Sequence, residues 1–251
     1  MALAVPPDGG PTTSPAATPE PIRSRFLRSP APSRSPELSV VIVNFCQWRN
    51  TARLARQLRR SLAVRTGFAE IVIVDNHSPF HPVVRRLKRL RGVTVRAFNR
   101  NHGFAKAVNR GSRLGKGKWL LLLNPDVTVE DGFLDDAIAA IERMEESGPH
   151  AGVVGFRLKN SDGTNQASAG PFPSFLNTVA GLFRPRSRRK CRHQQAEEYR
   201  AVDWVTGGCL LVRRDCFAKL GGLDASFFLY WEDGDFCRRA ANAGWSVWSD
   251  P

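Results

Sequence analysis

Residues 120–129 read LLLLNPDVTV: four leucines that run directly into Asn, Pro and Asp. Four large apolar residues in a row leave no polar face, the pattern of a strand covered on both sides within a parallel sheet. The aspartate then falls at the carboxyl end of a buried strand. The same texture recurs in LSVVIVN (38–44) and EIVIVDN (70–76), and VTVRAF (93–98) and AGVVGFRL (151–158) bring the candidate strands to five. Helical patterns lie between them. WRNTARLARQLRRSLA (48–63) sets Leu54, Leu58 and Leu62 at i, i+4 and i+8 as one amphipathic helix, and VVRRLKRLR, AKAVNRGSRLG and DGFLDDAIAAIERMEES follow. Strands alternating with helices predict an α/β fold, a Rossmann-like, mostly parallel sheet flanked by helices.

The 251 residues suffice for one large domain with a real core, and 42% of them are hydrophobic. No apolar run approaches the roughly eighteen residues of a membrane-spanning helix. The opening stretch MALAVPPDGGPTTSPAATPEP lacks a basic segment followed by an apolar one, so no secretory signal is expected. Five cysteines, an odd number without a C-x-x-C pair, argue against a disulfide framework or zinc site and fit a reducing cytoplasm. Residues 1–37 are rich in Pro and Ser and read as a disordered arm, which leaves 38–251 as the folded domain. Within it, about 171–200 reads as a mobile basic loop, with a dense cluster from Arg184 to Arg192. Two readings of that cluster stay open: a solvated loop, or peripheral contact with anionic lipid on the inner face of the plasma membrane. The formal net charge of +14 favours anionic partners. No nucleic-acid-binding module is recognisable, so nucleic acid is not expected among them.

Chemistry concentrates at the strand ends. Asn44, Asp75-Asn76 and Asn124-Pro125-Asp126 each follow a β-branched or leucine run, and the alternation puts all three on one rim. In doubly wound sheets that rim is where ligands bind. Helix N-capping is the competing explanation. A strand-end aspartate such as Asp126 suits Mg²⁺ or Mn²⁺, hard cations that keep positions for waters and substrate phosphates.

The motifs VVIVNF, IVIVDNHS, NRNHGFAKAVNRG, LLLLNPDV, VTGGCLLVRRDCF and GGLDASFFLYWEDGDFCRRAANAGW, in this order from Leu38 onward, resemble those of family 2 glycosyltransferases, in their rhamnosyltransferase-like branch. The resemblance implies a GT-A fold, a nucleotide-diphospho-sugar donor (dTDP- or UDP-linked), a divalent metal and inversion at the anomeric carbon. It implies that Asp75 binds the donor's base with Asn44 nearby, and that Asn101 and Gly103 line the nucleotide cleft. Asp126 takes the metal-binding position, with Asn124 where the motif has its first Asp. WEDGDF supplies Asp233 as the base that deprotonates the acceptor hydroxyl, with Glu232 beside it; a base needs to lie within about 3 Å of that hydroxyl. These acids also suit a helix N-terminus over GDFCRRAANAG, which would hold the carboxylate ionised. Thr206, Gly207 and Gly208 are expected on the acceptor side, together with Trp231. Phe227, Phe228, Tyr230 and Trp231 read either as an acceptor platform or, for most of them, as core. The acceptor would be a cell-surface glycan or a lipid-linked sugar.

Relatives of that branch continue beyond the point where VWSDP stands, toward a histidine that helps hold metal or diphosphate. The expectation is therefore a C-terminally truncated GT-A domain. The alternative function is a catalytically impaired member that binds nucleotide-sugar.

Overall fold

All five candidate strands form: β1 (Leu38–Asn44), β2 (Ala69–Asp75), β3 (Val93–Ala97), β4 (Trp119–Leu123) and β5 (Ala151–Phe156). The structure, a computed structural model, describes residues 35–172 and 199–250. Nearly all of the expected arm, and the expected basic loop between Phe172 and Tyr199, lie outside the described residues. Glu37 already belongs to the fold: its amide donates to the Phe68 carbonyl and its own carbonyl accepts from Trp119.

The helices between the strands are α1 (Trp48–Leu58), α2 (Leu62–Thr66), α3 (Val83–Lys88), α4 (Phe104–Leu114) and α5 (Phe133–Glu146). The single helix expected over 48–63 is thus two. Ser61 accepts from the Ala63 amide and caps a new helix, so Leu62 leaves the apolar stripe and is exposed. Short strands follow: β6 (Leu158–Lys159), β7 (Asn165–Gln166), β8 (Ala169–Gly170), β9 (Arg200–Ala201) and β10 (Trp204–Val205). Then come β11 (Cys209–Arg213), α6 (Arg214–Lys219), α7 (Glu232–Asn242) and β12 (Ser246–Asp250).

Eight strands pair in the order β3-β2-β1-β4-β11-β5-β12-β9. The β3-β2-β1-β4 portion is parallel, and β12 is parallel to β5. β11, which the sequence reading did not assign to the sheet, enters antiparallel between β4 and β5. The four leucines explain the centre. Leu121 and Leu123 enter the cluster beneath α1, α2, α3 and α5, whereas Leu120 and Leu122 face α4, α6 and α7. Each buried leucine contributes about 2 kcal/mol by leaving water. Because the sheet is covered on both faces, its polar chemistry is confined to strand ends. The described residues, 35–172 and 199–250, belong to one compact unit.

Candidate active site

The carboxyl ends of β1, β2, β4 and β5 share one rim, and the chain entering β11 meets them there, where the Asn124 amide donates to the Gly208 carbonyl. A cleft of ≈ 1580 Å³ opens on this rim. Of the residues expected in a site, Asn101, Gly103, Asn124, Asp126, Thr206, Gly207, Gly208, Trp231, Glu232 and Asp233 all line it.

Asn44 and Asp75 sit differently. Asn44 is fully buried, and its Nδ2 donates to Asp75 Oδ1 (2.7 Å) and to Ser78 Oγ (2.9 Å). Its Oδ1 accepts from Thr51 Oγ1 at 2.7 Å. Asp75 also accepts from the Ser78 amide and hydroxyl. Asn44 therefore reaches the cleft through its neighbours, not through a surface of its own. Nor does helix capping explain the strand-end residues: α1, α3 and α5, which follow them, have Gln47, Pro82 and Gly132 at their N-caps.

Asn76 carries the network into the cleft. Its Nδ2 donates to Asn101 Oδ1 (2.7 Å) and to the Gly103 carbonyl, and its Oδ1 accepts from the His102 amide. Gly103 has φ +85°, and a Cβ there would stand 2.8 Å from the Phe228 carbonyl. That carbonyl accepts from the Phe104 amide at 2.9 Å. Only glycine serves both demands.

Asp126 is exposed on the cleft wall. Its backbone is braced from behind, an arrangement the sequence reading missed. Arg53 donates to the carbonyls of Asp126 (3.1 Å) and Val127, and Gln57 donates to that of Val129. Arg53 and Gln57 look in sequence like ordinary polar-face residues of α1, so no signal distinguished them. Thr51 did carry one, as the polar member of the buried stripe of α1. Among the described residues no three His, Cys, Asp or Glu side chains are grouped to hold a metal. The donor set at Asp126 fits a hard cation shared with a ligand's phosphate oxygens, and not a closed protein cage.

At the opposite wall, α7 begins at Glu232, two residues earlier than the sequence suggested, with Trp231 as N-cap. Asp233 Oδ2 accepts from the Gly207 amide (2.8 Å) and Oδ1 from the Gly234 amide (2.7 Å), which fixes the carboxylate against the TGG segment. A Cβ on Gly207 would meet only ordinary contacts, nearest Asp233 Cβ at 3.4 Å, so tight packing does not account for that glycine. Glu232 is buried, and its Oε2 has no hydrogen-bond partner among the described residues. Burial, then the charge of Asp233, raises its pKa above the usual carboxylate range. A helix N-terminus favours an anion by about 0.3–1 kcal/mol, and here desolvation outweighs it. The core reading of the neighbouring aromatics is corrected: Phe228, Tyr230 and Trp231 are 61, 71 and 72% exposed. Tyr230 and Trp231 have φ of 70° and 69°, which turns the chain so that these rings project into the cleft mouth instead of the core.

The sequence model described as glycosyl transferase family 2 matches residues 39–221. The N-acetylglucosaminyl-diphospho-decaprenol L-rhamnosyltransferase of Mycobacterium tuberculosis is 31% identical over 226 residues, 83% of this chain and 71% of that one. Among solved structures, S. aureus TarS 1-349 superposes with TM-score 0.59 at 17% identity, over 85% of this chain and 58% of that one. The mannosyltransferase PcManGT from Pyrobaculum calidifontis, solved with GDP-Man and Mn²⁺, gives TM-score 0.60 at 16% identity, over 91% and 59%. The chain thus spans under two thirds of either solved chain, and it shares their GT-A fold. With the family's sequence model matched over most of its length, the chain belongs to glycosyl transferase family 2.

Proposed function

We propose that this domain transfers a sugar from a nucleoside-diphosphate donor to an acceptor hydroxyl with inversion. The observation that carries it is the single cleft joining the Asn76–Gly103 network, the Asp126 loop and Asp233. The nucleotide would lie over Asn101 and Gly103, with its base toward Asp75. Asp126, beside Asn124, would hold a divalent cation (Mg²⁺ or Mn²⁺) jointly with the diphosphate, and that cation supplies charge neutralisation for the leaving group.

Asp233 accepts the proton of the acceptor hydroxyl. The oxygen attacks the anomeric carbon as the bond to the diphosphate breaks, and the configuration inverts. The amides of Gly207 and Gly234 hold the carboxylate in one orientation, which removes most of the entropy cost of placing a base. Glu232 would contact an acceptor hydroxyl, a role supported by its place in the lining of the cleft beside Asp233. The rings of Phe228, Tyr230 and Trp231 stack the acceptor.

The M. tuberculosis relative, named for rhamnosyl transfer to a diphospho-decaprenol acceptor, supports rhamnose as the sugar and a lipid-linked acceptor. The donor would be dTDP-linked, and transfer would take place at the cytoplasmic face of a membrane. No helix among the described residues is long and apolar enough to cross one.

Calorimetric titration of dTDP, UDP and GDP, with and without Mn²⁺, tests the reading. One nucleotide should bind in a Mn²⁺-dependent manner, and Asp126→Ala should abolish that dependence. Failure of all three to bind the folded chain would overturn it.

A further inference from the structure

Charge is unevenly distributed over the molecule. From Arg49 to Lys118 there are eighteen lysines and arginines against two acids, Glu70 and Asp75. From Trp119 to Phe172 the balance reverses, with nine acids against three basic residues. Neither acid of the first stretch offsets its surface. Asp75 is buried in the Asn44–Ser78 network, and Glu70 faces the other side of the sheet, where it accepts from Ser39 and the Lys116 amide. Among the described residues no carboxylate pairs with a basic side chain of α1, α2 or α3.

The α1–α2–α3 part of the layer on this face of the sheet is therefore positive, and it is bounded by α5, which packs on the same face and carries Asp135, Asp136, Glu142, Glu145 and Glu146. Its densest part is α3, where Leu87 is buried while Arg85, Arg86, Lys88 and Arg89 are exposed. Two large apolar side chains stand out of the same layer: Phe80 is 71% exposed with Arg85 over its ring, and Leu62 is 48% exposed. A face that is basic and carries isolated apolar residues fits a lipid headgroup region, which attracts the charge and takes up the apolar tips. A nucleic acid would satisfy the arginines but offers Leu62 no apolar environment, and no helix here projects as a groove-reading element.

We infer that the α1–α2–α3 face docks this domain on a bilayer of anionic phospholipid, with α3 as its centre. The surface stands on charge and exposure alone. The lipid-linked acceptor proposed above only gives the docking a purpose.

Co-sedimentation of the full chain with phosphatidylcholine vesicles, with and without phosphatidylglycerol, provides the test. Wild type should partition onto the anionic vesicles only, and less so as salt screens the attraction. Arg85→Gln/Arg86→Gln/Arg89→Gln should weaken partitioning about 100-fold, from the typical value of a basic side chain near such a surface. Lys106→Gln/Arg110→Gln on α4, across the sheet, should change it only a few-fold. Every variant keeps the basic residues outside the described segments, so the α3 difference isolates this face. Thermal melting verifies that each variant is folded, and nucleotide titration on the same samples reads the transferase proposal separately. The inference is overturned if the α3 variant partitions like wild type, if neutral vesicles bind equally well, or if a single-stranded oligonucleotide at the same salt displaces the vesicles.

Discussion

On one side of the cleft, Asn44, Asp75 and Asn76 give each side-chain oxygen and nitrogen a hydrogen-bond partner, and three of those partners lie in the NHG turn. On the other side, residues 228–232 leave three aromatic rings in solvent, hold two non-glycine residues at positive φ and bury an unpartnered glutamate oxygen. The first wall is complete without a ligand. The second carries backbone strain of about 1–3 kcal/mol per residue and a polar group still lacking a partner. A nucleotide has a fixed shape that a rigid wall can match in advance, whereas an acceptor can cover the rings that the second wall leaves in solvent. The walls meet where the Phe104 amide donates to the Phe228 carbonyl.

The largest effect that separates them is on chemistry. Asp233→Asn keeps the size of the side chain beside Gly207 but cannot take a proton, and sugar transfer should fall about 10²–10⁴-fold. Nucleotide affinity, set by the first wall, should hold. A parallel loss of nucleotide binding would show that the walls are one unit.

Asp75→Ala attacks the first wall instead. It strips Asn44 Nδ2 and the Ser78 hydroxyl of an acceptor, the former in a fully buried place. Unmet buried donors cost about 1–3 kcal/mol each. Denaturant unfolding should register that loss, and nucleotide binding should weaken with it. Undiminished stability would mean that the network is decorative.

Gly103→Ala strikes the seam. Positive φ costs a residue with a Cβ about 1–2 kcal/mol, and the approach to the Phe228 carbonyl forces a shift. Quenching of Trp231 fluorescence by added nucleotide should drop if the turn transmits binding across the cleft.

How much of this was readable follows from the same contrast. The strands and their shared rim came from local patterns: a run of leucines with no polar face, or an Asp-Asn after a β-branched run, has few other places to go. β11 escaped because CLLVR reads the same in either direction of pairing, and its position between β4 and β5 depends on contacts about 90 residues away. Ser61 broke a helix that leucine spacing alone carried to Leu62. Asp233 and Glu232 were legible as acids in a motif, but their different surroundings were not, since burial of one and backbone ligation of the other arise only when α7 meets the TGG segment. Arg53 and Gln57 show the limit of pattern: what makes them matter is three carbonyls some 73 residues on.

The smallest effect is the one whose sign distinguishes the walls. Burial raises the pKa of Glu232, so in the folded state it retains its proton at a pH where the unfolded chain has lost it. Its contribution to stability is then full below the ordinary carboxylate value and is lost as pH rises through the raised folded value. Glu232→Gln removes the titration while keeping the shape. The variant should melt like wild type in mild acid and above it at neutral pH. Removing the carboxylate of Asp75 destabilises, because that group is held by donors; removing that of Glu232 stabilises at neutral pH, because burial there outweighs the backbone hydrogen bond that favours the charge. Melting curves that stay parallel for wild type and Glu232→Gln across the carboxylate range would place Glu232 among ordinary solvated acids. The second wall would then differ from the first only in its aromatics.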